Sequence, residues 1–187
     1  MKFYNILLLV FPLILISQEI SINKKSEIIC KNIDEFTDKI SIDSGSVIWY
    51  EDGGDLNSQG MIAIPSIKNN NGVISFSSLI LTVYGMKGCV DEGSTLDIIF
   101  ENGKKTRLVN WNDFDCKGTN YFKVTKNQLV IFKSSNISAV KYTNKRSYET
   151  MISKNNFGSK EGSFLKKIFN EIDKINGKQI VVSNCDN

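Results

Sequence analysis

The chain contains no histidine. That absence removes the Ser-His-Asp and Cys-His nucleophile pairs, in which an imidazole accepts the proton of the attacking group. It removes imidazole-ligated metal sites as well. No glycine-lysine phosphate loop occurs, and no glycine-rich dinucleotide fingerprint follows a strand-like segment. Long runs of one charge sign are also missing. The 23 basic and 20 acidic residues are interspersed and sum to +3, which gives no electrostatic case for nucleic acid or for an anionic membrane surface. No internal repeat, linker or low-complexity stretch divides the chain. No cofactor is implied.

What is present begins with an export pattern. Lys2 supplies a positive start, Ile6 to Ile16 is unbroken apolar sequence, Ser17 is small, and Gln18-Glu19 turns the chain polar. This is the layout of a secretory signal. The run is shorter than the about 20 residues that span a bilayer, and Pro12 inside it argues against a permanent anchor. Leu15 is bulky for its place before the cut, and no cysteine follows the run for acylation. The alternative reading is an amphipathic or buried helix. The expectation is a signal peptide over 1–17 and a single exported domain over 18–187, secreted or periplasmic, without stable membrane insertion after signal removal. That domain is long enough for a sizeable core. Loss of Lys2 leaves it nearly charge-balanced.

All four cysteines, Cys30, Cys89, Cys116 and Cys185, fall in the exported part. An even count in an exported chain reads as disulfides, with three connectivities open. Cys89–Cys116 with Cys30–Cys185 is preferred, because the first pair flanks a hairpin and the second ties the domain's ends. Chain entropy assigns about 3–4 kcal/mol to the inner loop and about 5 kcal/mol to the outer. A zinc site is disfavoured, since no two cysteines stand at knuckle spacing.

The fold class expected is α+β, a mostly antiparallel β-sheet with one C-terminal helix on it. Strand-like segments are Phe36 to Tyr50, Met61 to Ile64 (stopping at Pro65), Val73 to Tyr84, Tyr121 to Val124, Ile137 to Tyr142 and Tyr148 to Ile152. A turn is expected at Asn144 to Arg146. Residues 19–29 read as a short strand or an irregular lead-in, and Leu129 to Phe132 as strand or helical turn. Phe164, Leu165, Ile168, Phe169, Ile172 and Ile175 recur at helical spacing, with Ser159 as cap and Gly177 as stop. Gln179 to Val182 closes the chain as a last strand.

Thr95 to Val109 is the most informative stretch. A two-residue turn at Asn102-Gly103 would set Ile98 against Arg107 and mix the faces. A three-residue loop, Glu101 to Gly103, aligns Leu96 with Leu108, Ile98 with Thr106 and Asp97 with Arg107. Since a one-residue slip inverts every side chain, the pattern predicts a type I turn with Gly103 left-handed in a bulge.

Carboxylates are the acid–base chemistry still open. Trp49 and Tyr50 precede Glu51, Asp52 and Asp55, a mixture of rings and acids seen on sugar-binding surfaces; Asp91 and Glu92 follow Cys89. Two such acids across a cleft would serve a glycan hydrolase. The plainer account is that they solvate turns. Asp97 reads as the cross-strand partner of Arg107. Asp55, Asn57, Gln59, Gly60 and Ile62 match the first half of a calcium loop, but Ser66 stands where a bidentate glutamate belongs and Pro65 is out of place. No metal is therefore expected. Asn136-Ile137-Ser138 fits a glycosylation triplet of a kind that arises often by chance. Trp111 and Phe114 are expected to fill the core around a disulfide.

The stretch from Gly88-Cys89 through Ile98-Ile99-Phe100-Glu101-Asn102-Gly103 to Phe114-Asp115-Cys116-Lys117-Gly118 resembles uncharacterised small exported proteins of Bacteroidota. In those, a cysteine, a hairpin and a Phe-x-Cys-Lys segment recur. The resemblance supports export and the pairing across the hairpin, and it implies no activity. Two functions stand as expectations. One is a non-catalytic binding protein whose partner is an envelope or extracellular protein or glycan; the other is a carboxylate-dependent hydrolase of wall or extracellular glycan.

Overall fold

The central hairpin has the register that its side-chain alternation demands. Strands β6 (Thr95–Phe100) and β7 (Lys105–Val109) pair Leu96 with Leu108, Asp97 with Arg107 and Ile98 with Thr106. The Gly103 N–H donates to the Phe100 carbonyl, and the Phe100 N–H to the Lys104 carbonyl, both at 2.9 Å. Gly103 alone in the loop has positive φ, +78°. Leu96, Ile98, Phe100 and Leu108 are buried, whereas Asp97 and Ile99 on β6 and Lys105 and Arg107 on β7 face outward.

The computed structural model describes residues 24–33, 36, 40–52, 59–70, 73–86, 89–153, 157–177 and 180–185. The expected signal at 1–17 lies outside them, as do Asp55 and Asn57. The remaining elements are β1 (Lys24–Ile33), β2 (Ile40–Asp43), β3 (Val47–Asp52), β4 (Gln59–Asn70), β5 (Val73–Tyr84), β8 (Thr119–Phe122), α1 (Lys126–Ser134), β9 (Ile137–Thr143), β10 (Thr150–Ser153), α2 (Ser159–Asn176) and β11 (Ile180–Asn184). They form two four-stranded antiparallel sheets, β3-β4-β5-β8 and β10-β9-β6-β7, and a smaller sheet β11-β1-β2. Among the described residues only the β1–β11 pairing is parallel. An Asn110–Phe122 bridge joins the ends of β7 and β8, so the two larger sheets enclose one core.

Helix α2 lies on that core through Leu165, Ile168, Phe169 and Ile172. Edge-to-face rings run from Phe76 on β5 to Phe169 on α2 (4.9 Å between centroids), to Phe132 on α1 (5.7 Å), to Phe100 on β6 (5.3 Å). Such contacts contribute beyond the apolar area they bury. The ambiguous Leu129–Phe132 segment is thus helical. Thr125 caps α1, its side chain accepting from the Gln128 N–H while Gln128 reaches back to the Thr125 N–H.

Both expected disulfides are formed, Cys30–Cys185 and Cys89–Cys116. Other expectations need correction. Pro65 does not stop its strand: β4 runs through it, with Pro65 opposite Leu79. Pairing with β3 extends only to Ala63 opposite Val47, so β4 is an edge at Pro65 and the missing donor is tolerated. Gly158, not Ser159, is the N-cap of α2, and no side chain caps it. Tyr148 has φ +59° and belongs to the turn before β10.

Gly118 has φ +76°, and a Cβ there would run into the Val83 carbonyl oxygen; Gly103 has open space around it. Gly103→Ala is therefore expected to cost about 1 kcal/mol from backbone strain alone. Gly118→Ala adds a backbone clash and is expected to cost roughly 2–5 kcal/mol. Urea unfolding of both variants checks this; equal losses would contradict it.

Candidate functional site

The two groups of acids singled out from the sequence sit apart, Glu51 and Asp52 at the end of β3 and Asp91 with Glu92 in the turn before β6. Trp49 on β3 is buried, its ring 6.3 Å from Phe157, and among the described residues no acceptor reaches its Nε1. Tyr50 is half-buried beside it in sequence. Glu51 is exposed and accepts a 3.4 Å hydrogen bond from the Tyr84 hydroxyl. Burial first, and then the Glu51 charge, lift that hydroxyl above its usual range. Asp52 pairs with Gln59 through the backbone at the end of β3. Asp91 lies in the turn before β6, where its Oδ1 accepts from the Glu92 N–H at 2.8 Å. Its carbonyl accepts from the Ser94 N–H, the Ser94 hydroxyl and the Asn110 amide. Glu92 is exposed. Gln59 to Ser66 are strand residues of β4, not a calcium loop. Among the described residues no three acids or cysteines cluster as metal ligands.

Around Cys89–Cys116 the backbone is held by side chains. The Tyr121 N–H is shared by Asn110 Oδ1 and Asn112 Oδ1, each at 2.9 Å. Asp115 accepts from the N–H groups of Lys117 (2.9 Å) and Thr119 (2.8 Å). The Asn144 amide donates to the Cys89 carbonyl, and its Oδ1 accepts from the Arg146 N–H. Ser94 Oγ accepts from the Lys145 N–H. Backbone without ladder partners must be satisfied in some such way, and here the result fixes two neighbouring loops, 110–118 and 144–149.

These loops carry large side chains outward. Trp111 is 59% exposed, Phe114 53% and Tyr148 80%. The expectation that Trp111 and Phe114 fill the core is overturned: Asn110 takes the inward place, at 1% exposure, and alternation turns Trp111 out. Trp111 lies 6.0 Å from the Tyr121 ring, and the Arg146 guanidinium sits 4.9 Å over Phe114, a cation–π contact. The signal that would have revealed this is the polar residue in a strand-phase core position, Asn110 two places after buried Leu108.

A second feature is the outer face of β10-β9-β6-β7. An open depression of about 640 Å³ there is lined by Asp97, Ile99, Lys105, Arg107, Ala139, Lys141 and Ile152 among others. Arg107 grips Asp97 side-on, Nε to Oδ1 at 2.6 Å and Nη2 to Oδ2 at 3.0 Å. The Asp97 hydrogen bonds and charge push the guanidinium's pKa still higher.

No protein-family model, curated protein or solved structure matches this chain. Among the described residues the fold defines a class: a mostly antiparallel α+β arrangement with two helices and two disulfides. Disulfides of this kind belong to oxidising compartments rather than a reducing cytosol. Among the described residues no helix is long and apolar enough to cross a membrane.

The Lys117 N–H holds the Asp115 carboxyl below its usual range; desolvation opposes this and the Thr119 N–H reinforces it. The folded protein therefore binds this proton less readily than the unfolded chain. The stabilisation is complete above the unfolded value of about 4 and is lost as pH falls through the lower folded value. Asp115→Asn is expected to reduce stability at neutral pH and to flatten its decline below about pH 4. Urea unfolding across a pH series checks this; an unchanged acid limb would contradict it.

Proposed function

We propose that the exported chain, secreted or periplasmic, is a non-catalytic binding protein. It engages an envelope or extracellular protein through the disulfide-stapled end formed by loops 110–118 and 144–149. The observation that carries this reading is the outward display of Trp111, Phe114 and Tyr148, with Arg146, on loops fixed by side-chain hydrogen bonds. The few residues that dominate binding energy at protein interfaces are enriched in tryptophan, tyrosine and arginine. A surface ordered in advance loses little entropy on binding. Export is supported by the N-terminal pattern together with the two disulfides.

The test is capture of partners from the organism's own envelope extract by the oxidised protein, beside a Trp111→Ala, Phe114→Ala double variant with unchanged circular dichroism. Because both side chains are exposed, the variant should fold normally. It is expected to bind the captured protein about tenfold or more weakly. Equal binding by the variant would remove these loops from the account. Recovery of glycan in place of protein would shift the reading to a glycan ligand.

A further inference from the structure

We propose that the outer face of β10-β9-β6-β7 is a binding site for a small amphipathic anion: a carboxylate carrying an aliphatic body. The site is separate from the stapled loops. Strand alternation builds it, since Asp97 and Ile99 on β6 share one face with their partners Arg107 and Lys105 on β7 and Lys141 and Ala139 on β9. Ile152 on β10 lies opposite Lys141 on the same side.

Size, floor and charge select the occupant. A depression of about 640 Å³ falls within the roughly 300–1,000 Å³ of small-ligand sites. Its floor is aliphatic: Ile99 and Ala139, with Ile152, which is 53% exposed. Around that floor stand Lys105, Arg107 and Lys141 against the single carboxylate of Asp97, so positive charge is in excess. Asp97 engages Arg107 and Lys141 without satisfying either. It takes two of the five guanidinium N–H groups of Arg107. Lys141 Nζ stands 3.9 Å from Asp97 Oδ2, an ion pair beyond hydrogen-bond length. A carboxylate set between Lys141 and the free edge of Arg107 would complete both, its aliphatic body lying on Ile99 and Ile152. A neutral lipid would leave the cations unmatched. An added peptide strand is disfavoured at the β7 edge, because Gln128 Nε2 already donates to the Arg107 carbonyl and to Thr106 Oγ1.

The experiment titrates the oxidised full domain with octanoate and, separately, with octanol, following backbone amides by NMR. Octanoate is expected to saturate, shifting amides of β6, β7, β9 and β10, with at least about tenfold preference over octanol. Lys105→Gln with Lys141→Gln should weaken octanoate about tenfold and leave octanol unchanged. Ile99→Ser should weaken both. All three positions are outside the core, and salt dependence of octanoate binding by the unaltered protein gives a second readout that needs no variant. No saturable binding, equal affinity for octanol, or affinity indifferent to both salt and the lysine changes would overturn the proposal.

Discussion

A phenol and an amide meet in the core, and the two large sheets depend on how they meet. The Tyr142 hydroxyl on β9 donates to Asn120 Oδ1 on β8 at 3.0 Å, with both residues fully buried. The Asn120 amide donates in turn to the carbonyls of Leu81 and Gly118. An unpaired polar group at that depth would cost about 1–3 kcal/mol, so the pair accepts few alternative alignments of the sheets. Burial, opposed by hydrogen bonding with Ser94 and Asn120, raises the Tyr142 pKa. The hydroxyl therefore stays neutral and keeps donating throughout the physiological range.

Everything nearby extends that constraint. Asn110 is buried at the bridge between β7 and β8, Asn144 at the turn after β9, and Ser94 at the start of the hairpin; each satisfies backbone that has no ladder partner. Cys89–Cys116 closes the same end covalently. The domain's opposite demand, to bury α2, is met by the Phe76–Phe169–Phe132–Phe100 ring series. Cys30–Cys185 joins β1 to the residue after β11 and closes the small sheet. One end of the fold is thus specified by hydrogen bonds, and the helical side by apolar contact. The polar end is where the backbone leaves regular structure, and there the large exposed side chains appear.

The sequence was legible where periodicity and sterics act locally. Leu96, Ile98 and Leu108 set the hairpin register because only one alignment buries all three. Leu165, Ile168, Phe169 and Ile172 declared α2 by spacing. Legibility failed where a neighbour decides. Pro65 is tolerated because β3 ends before reaching it. The Leu129–Phe132 run is helical because Thr125 and Gln128 cap it reciprocally, a device visible only once the start is known. The candidate site was less legible still. Acids were the conspicuous residues, yet Asp91 serves its own turn. Large rings near a disulfide ordinarily pack inward, yet Trp111 and Phe114 face out, and the local sign of it is the strand phase that carries Asn110 inward two places after Leu108.

Function in this account rests on a surface made rigid before any partner arrives. Native-state hydrogen exchange tests that most directly, read at the amides of Lys117, Thr119, Tyr121, Lys145 and Arg146, whose acceptors are side chains. The account predicts that they exchange only through opening of the core, with protection comparable to that of Ile98 and Val140 in the paired strands β6 and β9. Exchange at rates near those of an unfolded chain, with the strands still protected, would show that the stapled end is not preorganised and would contradict it.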